Sequence, residues 1–133
     1  MQYALIHAAP TIEEYRSLRQ KAGLAPREYE AAKVGLRNSL FSVVVKEGDK
    51  MIGMGRIVGD GGCHVQITDI AVDPSYQGMG IGKAIMKEIM THIRDAVPKS
   101  CFVNLFADVD FLYQRYGFTD TKSKGMYLDW SKL

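Results

Sequence analysis

The chain has 133 residues, enough for one domain (1–133) with a real core and too few for two. It is 47% apolar and 24% charged, as globular proteins are, and its 17 basic against 15 acidic residues leave a net charge of +2. That balance gives no electrostatic footprint for nucleic acid, and no apolar run approaches the roughly 18–20 residues of a membrane span.

The start "MQYALIHAAPT" lacks the charged and long apolar regions of a secretory leader. Its run 3–8 reads as a first strand. "TIEEYRSLRQKAG" follows as a helix, with Thr11 and Glu14 as a capping box, Ile12, Tyr15, Leu18 and Ala22 on one face, and Gly23 at its end. Pro26 is placed for the first turn of a second helix that runs to Leu36 or Ser39. The period then changes. Phe41–Lys46, Lys50–Val58 and His64–Val72 are β-rich, with "EGD" and "GDGG" between them as hairpin turns, which predicts a three-stranded antiparallel meander ended by Pro74.

From Gly80 to Ala96, Ile81, Ile85, Ile89 and Ile93 recur every four residues, which predicts a strongly amphipathic helix closed by Pro98. "CFVNLFA" (101–107) is a further strand. "DVDFLYQRYGF" is a short helix capped by Asp108 or Asp110 and ended at Gly117, and "GMYLDW" (125–130) is a last strand. The order predicts a mixed α/β or α+β fold, one layer of sheet with helices packed on it. Cys63 and Cys101 are far apart and outside any CxxC spacing, and His7, His64 and His92 are scattered. The sequence therefore points to no disulfide framework and no metal site, and to the cytoplasm as the compartment.

The chemistry concentrates in "SYQGMGIGK" (75–83). A Walker loop fails, because Gly78 and Gly82 are four apart and Ala84 follows Lys83, leaving no hydroxyl for magnesium. The dinucleotide fingerprint fails as well, with Lys83 where its last glycine belongs. What remains is Gln-x-x-Gly-x-Gly between a strand and a long helix. It can be a tight turn, or an anion site in which unpaired helix-start amides and the helix dipole face a diphosphate.

At Gln77, Gly80 and Gly82 the chain resembles motif A of the GCN5-related N-acetyltransferase (GNAT) superfamily, and "NLFADVDFLYQRYGF" resembles its motif B. The likeness covers 41–130 in element order as well as motif. It implies a mostly antiparallel central sheet of about six to seven strands flanked by about four helices. It also implies acetyl transfer from acetyl-coenzyme A (acetyl-CoA), without a metal, to a primary amine of a small molecule. A protein or peptide amine, or non-catalytic acyl-CoA sensing, are the alternatives. Carried over, the backbone around Gln77, Gly78, Met79, Gly80, Ile81 and Gly82 would hold the diphosphate, and Ile70, Ala71 and Val72 would pair with the pantetheine amides. The Val72 N–H would face the thioester oxygen. Lys83 and Lys87 would assist the phosphates or form a solvated helix face. Tyr113 matches the tyrosine that protonates the leaving thiolate.

Asp69 is the strand carboxylate near Val72, read as amine recognition or water-relayed base, with a water chain as the alternative and Gln66 able only to orient a water. Alternation places Ile67, Asp69 and Ala71 on one face unless a bulge swaps the phase. "ADVDF" is shorter than in many relatives, so contacts from Asn104 and Asp108 do not transfer. Acceptor specificity falls to 11–39, Met54–Arg56 and Thr119–Gly125. An exposed last strand at Met126–Trp130 would offer a surface for a homodimer.

Overall fold

The computed structural model describes residues 2–108 and 110–132, without the side chains of Asp110 and Phe111. Five strands form one sheet in chain order: β1 (Ala4–Ile6), β2 (Phe41–Glu47), β3 (Lys50–Gly59), β4 (His64–Val72) and β5 (Phe102–Asn104). The first four are antiparallel and β5 runs parallel to β4. Helices α1 (Ile12–Lys21) and α2 (Tyr29–Arg37) precede the meander, α3 (Ile81–Ala96) crosses from β4 to β5, and α4 (Asp110–Gln114) follows.

Strand alternation sorts the apolar residues into two layers. Val43, Val45, Ile57, Val65 and Ile67 pack on Ile81, Ile85, Met86 and Ile89 of α3. Val44, Met54 and Ala71 pack on Tyr15, Leu18, Ala32 and Leu36 of α1 and α2. The four-residue isoleucine period of α3 thus becomes its buried stripe, each fully buried side chain worth roughly 1.5–3 kcal/mol. Two glycines let α3 sit close. A Cβ at Gly55 would lie 2.7 Å from Ile70 Cδ1 and Ile85 Cγ2, and one at Gly53 would lie 3.1 Å from Ile81 Cγ2 and Ile85 Cδ1.

Three expectations are corrected. The second helix starts at Tyr29, not at Pro26. The carbonyls of Ala25 and Arg27 accept from Arg19 Nε at 2.8 Å and Arg16 Nε at 3.0 Å instead of from helix amides, and Glu28 before the helix is extended. β5 covers 102–104 rather than 101–107. The sheet has five strands rather than six to seven, because among the described residues 125–129 form no strand. The cap expected at Asp108 or Asp110 depends on 109–111 and lies outside the described residues. Cys63 and Cys101, distant in sequence, each precede the His64–Phe102 register pair and so sit side by side at the start of the parallel strands, both free.

Candidate active site

β4 ends at Val72, and the buried carboxylate of Asp73 accepts from the Ser75 N–H at 2.9 Å, opening a single 3-10 turn at Pro74–Tyr76. Gly78 and Gly80 follow at φ +81° and +82°, the left-handed region where glycine alone is unstrained. Gly80 is the N-cap of α3 and supplies no side-chain cap. The first bond into the helix is the Ala84 N–H to the Gly80 carbonyl, 3.1 Å. Among the described hydrogen bonds, none of the consecutive amides from Gly78 to Lys83 donates to the protein, so the positive end of α3 carries an exposed run of donors. A Cβ on Gly78, Gly80 or Gly82 would meet nothing within 4 Å, so the space above the loop is open. Met79 is exposed, while the Ile81 side chain is buried in the core and leaves only its amide at the surface. Lys83 and Lys87 are exposed and make no ion pair among the described residues.

The loop adjoins a gap in the sheet. β4 pairs β5 only over His64–Gln66 and Phe102–Asn104, and Asn104 Nδ2 donates to the Val65 carbonyl at 3.2 Å where the ladder stops. From Ile67 to Val72 the outer edge of β4 is therefore open among the described pairings. The Asp73 N–H donates to the Ile52 carbonyl of β3 at 2.8 Å, so alternation turns the N–H and C=O of Val72 the other way, toward the gap. Gln77 Nε2 donates to that Val72 carbonyl at 3.2 Å. Gln77 thereby ties the glycine loop to the open edge, and among the described hydrogen bonds the Val72 N–H has no partner.

A β-bulge occupies the same strand. The register with β3 slips between Met54 and Arg56, and Asp69 adopts φ 57°, a left-handed conformation that aspartate tolerates better than most residues. The slip swaps the strand's phase. Ile67 faces α3 while Asp69 and Ala71 face α1 and α2, instead of all three sharing a face. Ile70 turns to the α3 side, against Gly55.

The Asp69 carboxylate, 6% exposed, has both oxygens engaged. Oδ1 accepts from Arg19 Nη1, and Oδ2 accepts from Arg56 Nε at 2.7 Å and the Tyr15 hydroxyl at 2.8 Å. Arg56 Nη1 continues to the Gly35 carbonyl at 3.1 Å and Ser39 Oγ at 3.0 Å, so one carboxylate ties α1, the end of α2 and β3 to the bulge. Burial, then the bond to Asp69, push the Tyr15 hydroxyl above its ordinary value. Sequence reasoning placed Tyr15 only on the apolar face of the first helix and did not name Arg19. The available signal was a charge, Arg19, four residues after Tyr15 on an apolar helix face, and a second charge, Arg56, inside an apolar strand.

Tyr113 lies on α4, half-buried against the α3 core, its ring edge-on to Phe118 with centroids 6.4 Å apart. Burial, then the nearby Asp108 carboxylate, push its hydroxyl above the ordinary tyrosine value, so it keeps its proton at neutral pH.

The acetyltransferase (GNAT) domain family matches residues 38–120. The chain is similar to the Staphylococcus aureus protein SA2161, whose own function is unknown, with 44% identity and a TM-score of 0.91 over 97% of this chain and 100% of that one. The uncharacterized N-acetyltransferase ycf52 of Pyropia yezoensis is 29% identical over 86% of this chain and 69% of its own length. A Brucella melitensis acetyltransferase solved in complex with acetyl-CoA shares the fold at 19% identity, with a TM-score of 0.68 over 90% and 84% of the two chains.

Proposed function

The chain belongs to the acetyltransferase (GNAT) domain family, and from that membership we propose that it moves an acetyl group from acetyl-CoA directly to a primary amine of a small molecule. One observation carries this reading: the undonated amides Gly78–Lys83 adjoin the open edge of β4, with the Val72 N–H aimed into the gap. A diphosphate fits the first and an extended amide-bearing arm the second, and both are met in acetyl-CoA.

In this reading the amides from Gly78 to Lys83 hold the diphosphate, Gln77 braces their loop through its side chain, and Ile70, Ala71 and Val72 present strand edge to the pantetheine arm. Acetyl-CoA supplies an activated thioester. The Val72 N–H donates to the thioester oxygen as it gains charge, from a backbone already fixed by the Gln77 bond to the same residue. Tyr113, protonated and half-buried, donates its proton to the departing sulfur. The amine, with an ordinary pKa near 10.4, gives its proton to water rather than to Asp69, whose two oxygens are occupied by Arg19, Arg56 and Tyr15. Asp69 then serves as a positioning residue that holds the acceptor-side wall. The two free thiols accord with a reducing compartment, the cytoplasm in this reading.

The test has two arms, calorimetric titration with acetyl-CoA and a thiol-release assay across polyamines, arylalkylamines, amino sugars and peptides. Binding with turnover on a small amine supports the proposal. Turnover on peptides alone moves the acceptor to polypeptides, binding without turnover leaves a sensor, and no binding refutes the loop and edge assignment.

A further inference from the structure

The network around Asp69 does not balance in charge. Two guanidiniums, Arg19 at 6% and Arg56 at 14% side-chain exposure, meet a single carboxylate, and neither has another acidic partner among the described residues. Tyr15 donates its hydroxyl there and adds no negative charge. The Ala25 and Gly35 carbonyls, the Ser39 hydroxyl and the C-terminal end of α2 supply partial charges only. One positive charge is therefore left over in a nearly buried place, where a charge without a counter-charge is costly.

Both guanidiniums also keep donors free. Each uses its Nε and Nη1, while Nη2 donates to nothing among the described hydrogen bonds. Among the described residues no side-chain polar atom cut off from water lacks a partner, so both Nη2 groups reach solvent. The two guanidiniums lie over the Tyr15 ring, 5.6 and 5.7 Å from its centroid, which holds them in place. Their position suits an acceptor. α3 covers one face of the sheet, so an amine reaches a thioester at Val72 from the other face, that of α1 and α2. Asp69 stands on that face three residues before Val72, on the order of 10 Å along a strand.

We propose that Arg19 and Arg56 form an anion subsite for the acceptor, whose substrate is a small amine carrying a carboxylate or phosphate about 10 Å from its nitrogen. This rests on the acetyl-transfer reading above and names its substrate class. Asp69 stays closed; the arginines that close it turn their remaining N–H groups outward. Planar guanidiniums take an anionic oxygen in charge-assisted hydrogen bonds of fixed direction, and the ligand brings the negative charge that the network lacks. Anchored at that end, the molecule holds its amine near the Val72 N–H, where the thioester carbonyl would lie. A polyamine is disfavoured, because its second ammonium meets the same positive charge. Both arginines act here as binding residues that set specificity, away from the reacting atoms.

The test is thiol release from acetyl-CoA with ω-amino carboxylates and ω-aminoalkyl phosphates of rising length, each beside the alkylamine of the same length. At a spacing near 10 Å the anionic member should have a kcat/KM at least ~10-fold above its neutral counterpart, chiefly through KM, and added salt should narrow the ratio. The carboxylate and phosphate arms separate the two anions. Arg56→Gln, with folding checked by circular dichroism, should raise KM for the anionic member at least ~10-fold and bring the ratio toward one, and Arg56→Lys should restore only part of it. The series on the unaltered protein decides even where the variant does not fold. Equal use of charged and neutral members, or a preference for polyamines, overturns the subsite and leaves acetyl transfer standing. So does a preference that survives Arg56→Gln in full, or turnover of no member with acetyl-CoA bound. Calorimetry with acetyl-CoA alone separates the two readings: absent binding refutes the acetyl-transfer assignment, and the subsite falls with it.

Discussion

The bulge at Asp69, inside β4, and the loop at Gly78–Gly80, between β4 and α3, use the same unusual backbone, φ 57° against +81° and +82°. Their polar groups have opposite fates. At Asp69 every oxygen is met by a guanidinium or a hydroxyl from within the protein. At the glycine loop a run of amides meets none, and the space above it is open. A left-handed residue therefore does not by itself mark a binding site. What separates a structural knot from a ligand cradle is whether the donors and acceptors it aims are already satisfied.

The largest effect should come from opening the closed region. Asp69→Ala leaves Arg19 and Arg56 without their shared carboxylate, and breaking a buried pair in this way costs about 3–5 kcal/mol. The melting temperature should fall by on the order of 10 °C or more, read by thermal denaturation. A variant that keeps its melting temperature and loses only turnover would make Asp69 a free catalytic carboxylate and dissolve the contrast.

The open region should respond in the opposite sense, with ligand affinity falling before stability. Gly80→Val must hold a β-branched residue at φ +82°, a strain of about 1–3 kcal/mol, and it fills the space over the amides. Acetyl-CoA affinity should drop at least ~100-fold, about 2.7 kcal/mol by calorimetry. Gly82 separates the two causes: its φ is not positive and its Cβ site is open, so Gly82→Ala carries no backbone strain and should lower affinity less than Gly80→Val does. Equal losses at both positions would mean that the open space over the amides, and not the left-handed backbone of Gly80, is what the ligand needs. Tyr113→Phe comes next, with turnover lowered about 10- to 100-fold and binding retained. Unaltered turnover removes Tyr113 from the chemistry.

The two regions were unequally legible in the sequence. The loop could be placed because its signals are local: Gln77, Gly78, Gly80 and Gly82 lie within a few residues, and the isoleucine period fixes α3 behind them. The bulge was not, because Asp69 meets partners 54, 50 and 13 residues away, and pairings at that range leave no periodicity to read. The same distinction explains the other differences. Pro26 has the local chemistry of a helix start, but arginine side chains from α1 take the carbonyls of Ala25 and Arg27. Met126–Trp130 has the alternation of a strand, but among the described residues 125–129 pair with no strand of the sheet.

The smallest effect tests how much of the closed region depends on Asp69 rather than on α1 itself. At the start of that helix Glu14 accepts from the Thr11 N–H at 2.9 Å and lies 3.2 Å from Lys46 Nζ. Burial pushes the Glu14 carboxyl up, but the Thr11 amide and Lys46 outweigh it and hold it below its ordinary 4.5. A lowered carboxyl pKa means that the folded state favours the charged form. The resulting stability is present above the unfolded value and lost as pH falls through the folded one. Glu14→Gln should therefore cost about 0.5 kcal/mol at neutral pH, as a partly exposed pair does, and the difference should vanish on acidification. A cost that does not change with pH would assign the effect to side-chain geometry instead of charge. A cost approaching that of Asp69→Ala would show that α1 is held by its own first turn, and the bulge would lose its place as the knot that ties that side of the sheet.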